Sequence, residues 1–230
     1  MLGIIGAMEE EVSRLTAAMQ EVTVTRRASM DFYKGKLAGK DAVVVRSGIG
    51  KVNAGICTQI LADLFQVDQV INTGIAGSLD AAIDIGDIVL STDALQHDMD
   101  AVAFGYEPGV IPRMETSIFK ADEALLQAAK TACEKANPDI HVFTGRVVSG
   151  DQFIADKTKK DYLVSQFTPM CTEMEGAAIA QAAYLNQIPF LIIRAISDKA
   201  DNSASMDYPA FEAAAIEHTV KLVMELAATL

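Results

Sequence analysis

The 230-residue sequence predicts an α/β fold built around a mixed β-sheet. Short β-branched runs alternate along the chain with segments of helical periodicity, which is the pattern of an α/β domain. Near-continuous apolar runs are typical of strands buried on both faces, and one pair of early runs has the spacing of an antiparallel hairpin. Half of the residues are hydrophobic, so residues 1–230 can form one domain with one sizeable core.

Six short apolar runs are the main strand candidates, at residues 4–5, 43–45, 70–71, 88–90, 147–148 and 190–193. Residues 30–37 and 41–47 are predicted to pair antiparallel through a turn at Ala38-Gly39-Lys40. The sheet is therefore expected to be mixed rather than purely parallel.

Between the strand candidates, apolar residues recur at helical spacing and predict amphipathic helices. One stripe runs through Cys57, Ile60, Leu61, Leu64 and Phe65, and another through Leu125, Leu126, Ala129 and Cys133, closed by Asn137-Pro138. The last helix is predicted to begin near Asp207 as N-cap, with Pro209 in its first turn. Residues 97–116 form a long irregular stretch, and loops of that length tend to be functional.

Composition excludes several partners. The chain has 19 basic and 31 acidic residues, so its field should repel nucleic acid and anionic membranes. Three widely spaced cysteines favour reduced thiols over a disulfide framework. The first residues lack the basic region of a signal peptide, and no apolar run approaches the roughly 20 residues that span a bilayer. We expect a soluble, cytoplasmic protein.

Chemically useful residues follow the predicted strands, where ligands bind in open α/β sheets. These segments are Met8-Glu9-Glu10-Glu11, Ser47-Gly48-Ile49-Gly50, Thr73-Gly74-Ile75-Ala76-Gly77, Ser149-Gly150-Asp151 and Ser197-Asp198. The glycine loops fail the P-loop and dinucleotide patterns, since Val52 follows Gly50-Lys51 where Ser or Thr is needed. His97-Asp98-Met99-Asp100 is better explained as solvated loop polarity than as a metal site. Neither a metal nor an organic cofactor is predicted.

Carboxylates are therefore the candidate catalytic groups, namely Glu11, Glu175 and Asp198. Cleavage of a glycosidic bond passes through an oxocarbenium-like state that needs an acid at the leaving group and a carboxylate near the cation or its water. Each of these three carboxylates could instead have a purely structural role, as a helix cap or as an acid in the first turn of a helix. The same structural role is possible for Glu173. For Glu9 and Glu10 the helix-dipole explanation is preferred.

Six motifs resemble the bacterial 5'-methylthioadenosine/S-adenosylhomocysteine nucleosidases, in the same order and over nearly the whole chain. They are Gly3-Ile4-Ile5-Gly6-Ala7-Met8-Glu9-Glu10-Glu11, Ser47-Gly48-Ile49-Gly50-Lys51-Val52, Asn72-Thr73-Gly74, Val148-Ser149-Gly150-Asp151, Glu173-Met174-Glu175 and Arg194-Ala195-Ile196-Ser197-Asp198. The resemblance implies a three-layer α/β/α sandwich of the nucleoside phosphorylase type, a homodimer and no cofactor. It also implies hydrolysis of methylthioadenosine, adenosylhomocysteine and 5'-deoxyadenosine.

The resemblance assigns roles by motif. Glu11 would activate water, Asp198 would protonate adenine N7, and Glu175 would bind the ribose hydroxyls. The remaining substrate-binding positions that it implies are Met8 near the cationic carbon, Met174 beneath the sugar, Phe153 stacked on adenine, Ile154 at the purine edge, Ile49 and Tyr208 in the 5'-thio pocket, and Ile75, Glu173 and Ser197. Phe104 and Pro112 would reach the partner subunit's site.

Two other functions remain open at this point. A phosphorolytic nucleoside phosphorylase shares the expected fold, but its phosphate would require cationic donors where this chain places acids and an isoleucine. A non-catalytic nucleoside-binding protein could use the same cleft. Three departures from the family pattern affect specificity: Ile75 for a serine of some members, Gly176 for a common alanine, and Tyr208 for phenylalanine.

Overall fold

The computed structural model describes residues 1–230 and contains ten strands in one mixed sheet. The strands are β1 (Leu2–Gly6), β2 (Gln20–Arg27), β3 (Met30–Leu37), β4 (Lys40–Arg46), β5 (Gln69–Ser78), β6 (Ile88–Gln96), β7 (Phe119–Lys120), β8 (Val142–Ser149), β9 (Cys171–Glu173) and β10 (Phe190–Asp198). The helices are α1 (Glu9–Ala18), α2 (Lys51–Phe65), α3 (Glu123–Ala136), α4 (Lys157–Phe167), α5 (Gly176–Leu185) and α6 (Ala204–Thr229), with a 3-10 helix at Val102–Phe104.

Half of the sheet closes on itself. Strand β10 pairs with both β5 and β6, β6 pairs with β8, β8 with β9, and β9 with β5, so these five strands form a ring. The other half extends from β5 through β1 and β4 to the predicted hairpin β3–β4 and the edge strand β2. The ring brings the ends of β5, β9 and β10 close together, beside the end of β1.

Helices cover both faces of the sheet. Strand β1 is buried on both sides, and its Ile4 and Ile5 point into different cores. One core packs the sheet against α1, α3 and α6, and the other packs it against α2 and α5. This arrangement confirms the three-layer α/β/α prediction. None of the helices combines the length and apolarity needed to cross a membrane.

The start of α6 differs from the prediction. The helix begins at Ala204 with Ser203 as N-cap, about one turn before the predicted cap Asp207. The backbone N–H of Asp207 already donates to the Ser203 carbonyl at 3.0 Å, and the Ser203 hydroxyl donates to the Asp207 side chain. Pro209 therefore lies inside the helix, beyond the first turn.

The segment around Glu173 and Glu175 also departs from the expected helix start. Glu173 ends β9, which pairs parallel with β8 and antiparallel with β5, and only Glu175 occupies the N-cap position of α5. A three-residue strand inside a closed ring leaves no periodic pattern in the sequence, because its pairing depends on strands distant in the chain.

Candidate active site

The strand ends surround a cavity of about 350 Å³, which is within the size range of small-molecule sites. Eleven of the predicted site residues line it: Met8, Glu11, Ile49, Ile75, Phe153, Glu173, Met174, Glu175, Ser197, Asp198 and Tyr208. Ile154 lines a small adjoining cavity of about 30 Å³. Ala7, Ala76, Gly77 and Thr172 complete the lining and were not predicted, although the first three lie within predicted motifs.

Glu11 lies where β1 turns into α1 and is only 3% exposed. Its Oε2 accepts the N–H groups of Ala7 at 2.6 Å and Met8 at 3.0 Å, and its Oε1 accepts the N–H of Ile75 at 3.3 Å. Burial raises the pKa of Glu11, while the charge of Arg194 and these backbone donors oppose the rise. A buried carboxylate with a raised pKa suits a general base, although burial works against the ionised form that takes up the proton.

Glu173 and Arg194 form a buried ion pair behind the cavity, with 2.5 Å between Glu173 Oε2 and Arg194 Nη2. Ser149 donates its hydroxyl to Glu173 Oε1, and the N–H of Gly176 donates to Oε2 at 2.8 Å. Burial alone would raise the pKa of Glu173, but the Arg194 charge and these hydrogen bonds hold it below its ordinary value. Both oxygens of Glu173 therefore already have protein partners.

Glu175 has the opposite electrostatic environment. Its Oε1 accepts the N–H of Gly50 at 2.8 Å, in a loop where Gly50 has a φ of 98° that favours glycine. Burial, and then the nearby charge of Glu173, raise the pKa of Glu175 to about 8. The raised pKa favours the protonated form of Glu175, which can both donate and accept a hydrogen bond.

Asp198 ends β10 and is 2% exposed. Its Oδ1 accepts the N–H of Ala200 at 2.8 Å, and its Oδ2 accepts the hydroxyl of Ser197 at 2.9 Å. Burial raises the pKa of Asp198 against these two donors. The shift is in the direction that a proton donor requires.

Apolar side chains form the mouth of the cavity. Phe153 and Ile49 are each about half exposed, and the Phe153 ring packs edge-on against Tyr208 with 5.8 Å between centroids. The Tyr208 hydroxyl lies 3.4 Å from the sulfur of Met8. These surfaces can hold a flat aromatic ring and a thioether.

Cations are held away from the cavity. Its lining contains neither lysine nor arginine. Arg194 is paired with Glu173, and Lys51, which follows the glycine loop, donates to Asp98 at 2.5 Å and to Gln96 at 2.9 Å. Asp98, in the segment for which a metal site was not favoured, thus takes part in an ion pair with Lys51. The site offers carboxylates to its ligand and no cation that could bind an anion.

Phe104 and Pro112 of the same chain do not line this cavity. Phe104 is 85% exposed on the 3-10 helix.

The fold and site define a class of enzymes that act on nucleosides, and a family model described as the phosphorylase superfamily matches residues 1–228. A 5'-methylthioadenosine/S-adenosylhomocysteine nucleosidase of a Geobacillus species is 41% identical, covering 100% of this chain and 98% of the relative. That of Anoxybacillus flavithermus is 43% identical, covering 96% of this chain and 95% of the relative. The chain belongs to the 5'-methylthioadenosine/S-adenosylhomocysteine nucleosidase family, as the motifs predict.

Solved structures agree with this assignment. The Neisseria meningitidis nucleosidase, in complex with methylthio-immucillin-A, has a TM-score of 0.95 and 38% identity, with 100% of this chain and 99% of that chain covered. The futalosine hydrolase of Helicobacter pylori has a TM-score of 0.94 and 32% identity, with 100% and 97% covered. Because hydrolases with different names share the fold this closely, the substrate has to be argued from the site.

Proposed function

We propose that this chain is an N-glycosyl hydrolase that cleaves 5'-methylthioadenosine and S-adenosylhomocysteine with water, releasing adenine and 5'-methylthioribose or S-ribosylhomocysteine. The observation that carries the proposal is a nucleoside-sized cavity lined by buried carboxylates and by no lysine or arginine. A phosphate dianion would meet carboxylates there without a compensating cation, whereas water would meet a base. We extend the proposal to 5'-deoxyadenosine, which keeps the adenine and ribose.

In the proposed reaction the bond between C1' and adenine N9 breaks as a water oxygen bonds to C1'. Glu11 takes the proton from the water, and Asp198 gives its proton to adenine N7, so that adenine leaves without negative charge. The backbone donors on Glu11 and the hydroxyl of Ser197 on Asp198 support these roles by fixing both carboxyl groups. Glu175 holds the ribose hydroxyls, for which its protonated state supplies a donor.

The apolar lining positions the rest of the nucleoside. We assign Phe153 to stacking on adenine, the backbone of Ile154 to the purine edge, and Met174 to the face beneath the sugar. Met8 lies near the cationic carbon, and Ile49 and Tyr208 enclose the 5'-thio substituent. Ile75 and Ser197 contribute lining, and Glu173 contributes by holding the backbone of the segment that carries Glu175.

A homodimer in the cytoplasm is part of the proposal. Phe104 is 85% exposed, and Val52, Ile56 and Leu64 are exposed at spacings of four and eight residues on α2, so a second copy of the chain would find apolar surface to bury there. Phe104 and Pro112 would then reach into the partner subunit's site. Three buried free cysteines fit a reducing compartment.

Adenine release in phosphate-free buffer tests the proposal. Purified protein should release adenine from methylthioadenosine at the same rate with and without added phosphate, and Glu11→Gln should abolish that release. Strict dependence on phosphate would establish the phosphorylase instead. Calorimetric binding of methylthioadenosine without any product would establish a binding protein.

A further inference from the structure

Tyr208, which we assigned to the 5'-thio end of the cavity, forms a polar pair with Glu212, which lies behind it and outside the lining, and the proposed reaction does not use this pair. The Tyr208 hydroxyl donates to Glu212 Oε1 at 3.0 Å, one turn further along α6, and the same hydroxyl lies against Met8 at the cavity wall. A tyrosine hydroxyl has one proton. With that proton directed to the carboxylate, the oxygen faces the cavity as an acceptor.

Glu212 lacks the cationic partner that its neighbour on the helix has. Glu217 pairs with Lys221 at 2.8 Å, whereas Glu212 has only the Tyr208 hydroxyl as a side-chain partner. Glu212 is half-buried, and Glu10 and Glu11 add further negative charge around the Tyr208 ring. The polar pair is thus an acceptor for a cation and repels an anion.

We infer that Tyr208 and Glu212 determine specificity by binding an ammonium group on the 5'-thio tail of the substrate. This inference rests on the proposed function, which places the tail beside Tyr208. In a homocysteine tail the ammonium would face Tyr208 Oη and the Glu212 carboxylate, and the tail carboxylate would point to solvent. The pair therefore favours amine-bearing tails over uncharged tails of equal length.

Two synthetic nucleosides isolate the ammonium: 5'-(3-aminopropylthio)-5'-deoxyadenosine and its near-isostere 5'-butylthio-5'-deoxyadenosine. The readout is the ratio of their kcat/KM values for adenine release, because the folded fraction of each preparation cancels in that ratio. Tyr208→Phe and Glu212→Gln should each lower the ratio by about three- to tenfold, the size expected for a partly exposed charged contact. Glu217→Gln, on the same helix but paired with Lys221, is the matched control and should leave the ratio unchanged.

An unchanged or increased ratio in both variants would overturn the inference, and a fall in only one variant would overturn the pairing of Tyr208 with Glu212. Failure of the proposed function is distinguishable, because the wild-type protein would then release adenine from neither nucleoside nor from methylthioadenosine. Adenine release with an unresponsive ratio would refute this inference alone.

Discussion

Removing the charge of Arg194 should both destabilise the fold and move the acid limb of the pH–rate profile. The guanidinium is 1% exposed and bonds to Glu173 Oε2 and Asn72 Oδ1, each at 2.5 Å. In Arg194→Met, Glu173 becomes a buried carboxylate without its cation. Breaking such a pair from one side costs about 3 to 5 kcal/mol. For a domain of this size that corresponds to a fall in Tm of roughly 6 to 20 °C.

The double variant Arg194→Met, Glu173→Gln separates stability from catalysis. It removes both charges together, so most of the lost stability should return. The charge of Arg194 also lowers the pKa of Glu11, and that effect stays absent in the double variant. Since the base must be deprotonated to act, the acid limb of kcat/KM should lie at higher pH in both variants than in the wild type.

Urea unfolding measures the predicted loss and return of stability. The profile of kcat/KM from pH 5 to 9 measures the predicted shift of the acid limb. A single variant as stable as the wild type would contradict the buried ion pair. An acid limb that keeps its position in the double variant would show that Arg194 does not set the pKa of Glu11.

Three further predictions test other parts of the site. Asp198→Asn should lower kcat by about 10² to 10⁴ while methylthioadenosine still binds, because the acid acts mainly in the transition state; near-normal turnover would refute its role. The folded-state pKa of Glu175, about 8, lies above its ordinary 4.5, so this group's contribution to the free energy of unfolding is full below pH 4.5 and is lost as the pH rises through about 8. Glu175→Gln should flatten that decline in pH-dependent urea melts, and an equally steep decline would contradict the shift. In Gly74→Ala the new Cβ would lie 2.6 Å from Glu11 Oε1, so this variant should lower kcat/KM. Gly55→Ala, where a Cβ in α2 meets open space, is the control and should leave kcat/KM unchanged. Equal kcat/KM values in the two variants would refute the close approach of residue 74 to Glu11.

Continuous apolar strands could be predicted from the sequence, and exposed or very short ones could not. Strands β1, β4, β5, β6, β8 and β10 all contain buried apolar runs, and each was predicted. Strand β2 is exposed along most of its length, so its side chains carry little burial signal. It is held by backbone pairing to β3 at the sheet edge.

Most of the residues that line the cavity could be predicted, but not how the charges are paired. Glu11 follows a predicted strand and Asp198 ends one, and the order of strands in an α/β sheet brings such positions together. Glu175 could be predicted only as a helix start and from the family motif, because β9 leaves no pattern in the sequence. The contact between Glu173 and Arg194 joins residues 21 positions apart, and the contact between Lys51 and Asp98 joins residues 47 apart. Such pairings depend on the closed ring of strands, and the direction of each pKa shift depends on those pairings.

Glu173, at the end of β9, and Glu175, at the N-cap of α5, show how one cation gives neighbouring carboxyl groups different states. Arg194 bonds to Glu173 and keeps it ionised, and the Glu173 charge then helps to raise the pKa of Glu175. In the proposed function a neutral Glu175 would hold the ribose hydroxyls without adding a second buried charge near Glu11, whose own ionisation is already opposed by burial. Ionised Glu11 is the form that attracts both the water proton and the developing positive charge on the sugar. The charge of Arg194 behind the cavity thus favours the ionised form of Glu11 that the proposed mechanism requires, against the effect of burial.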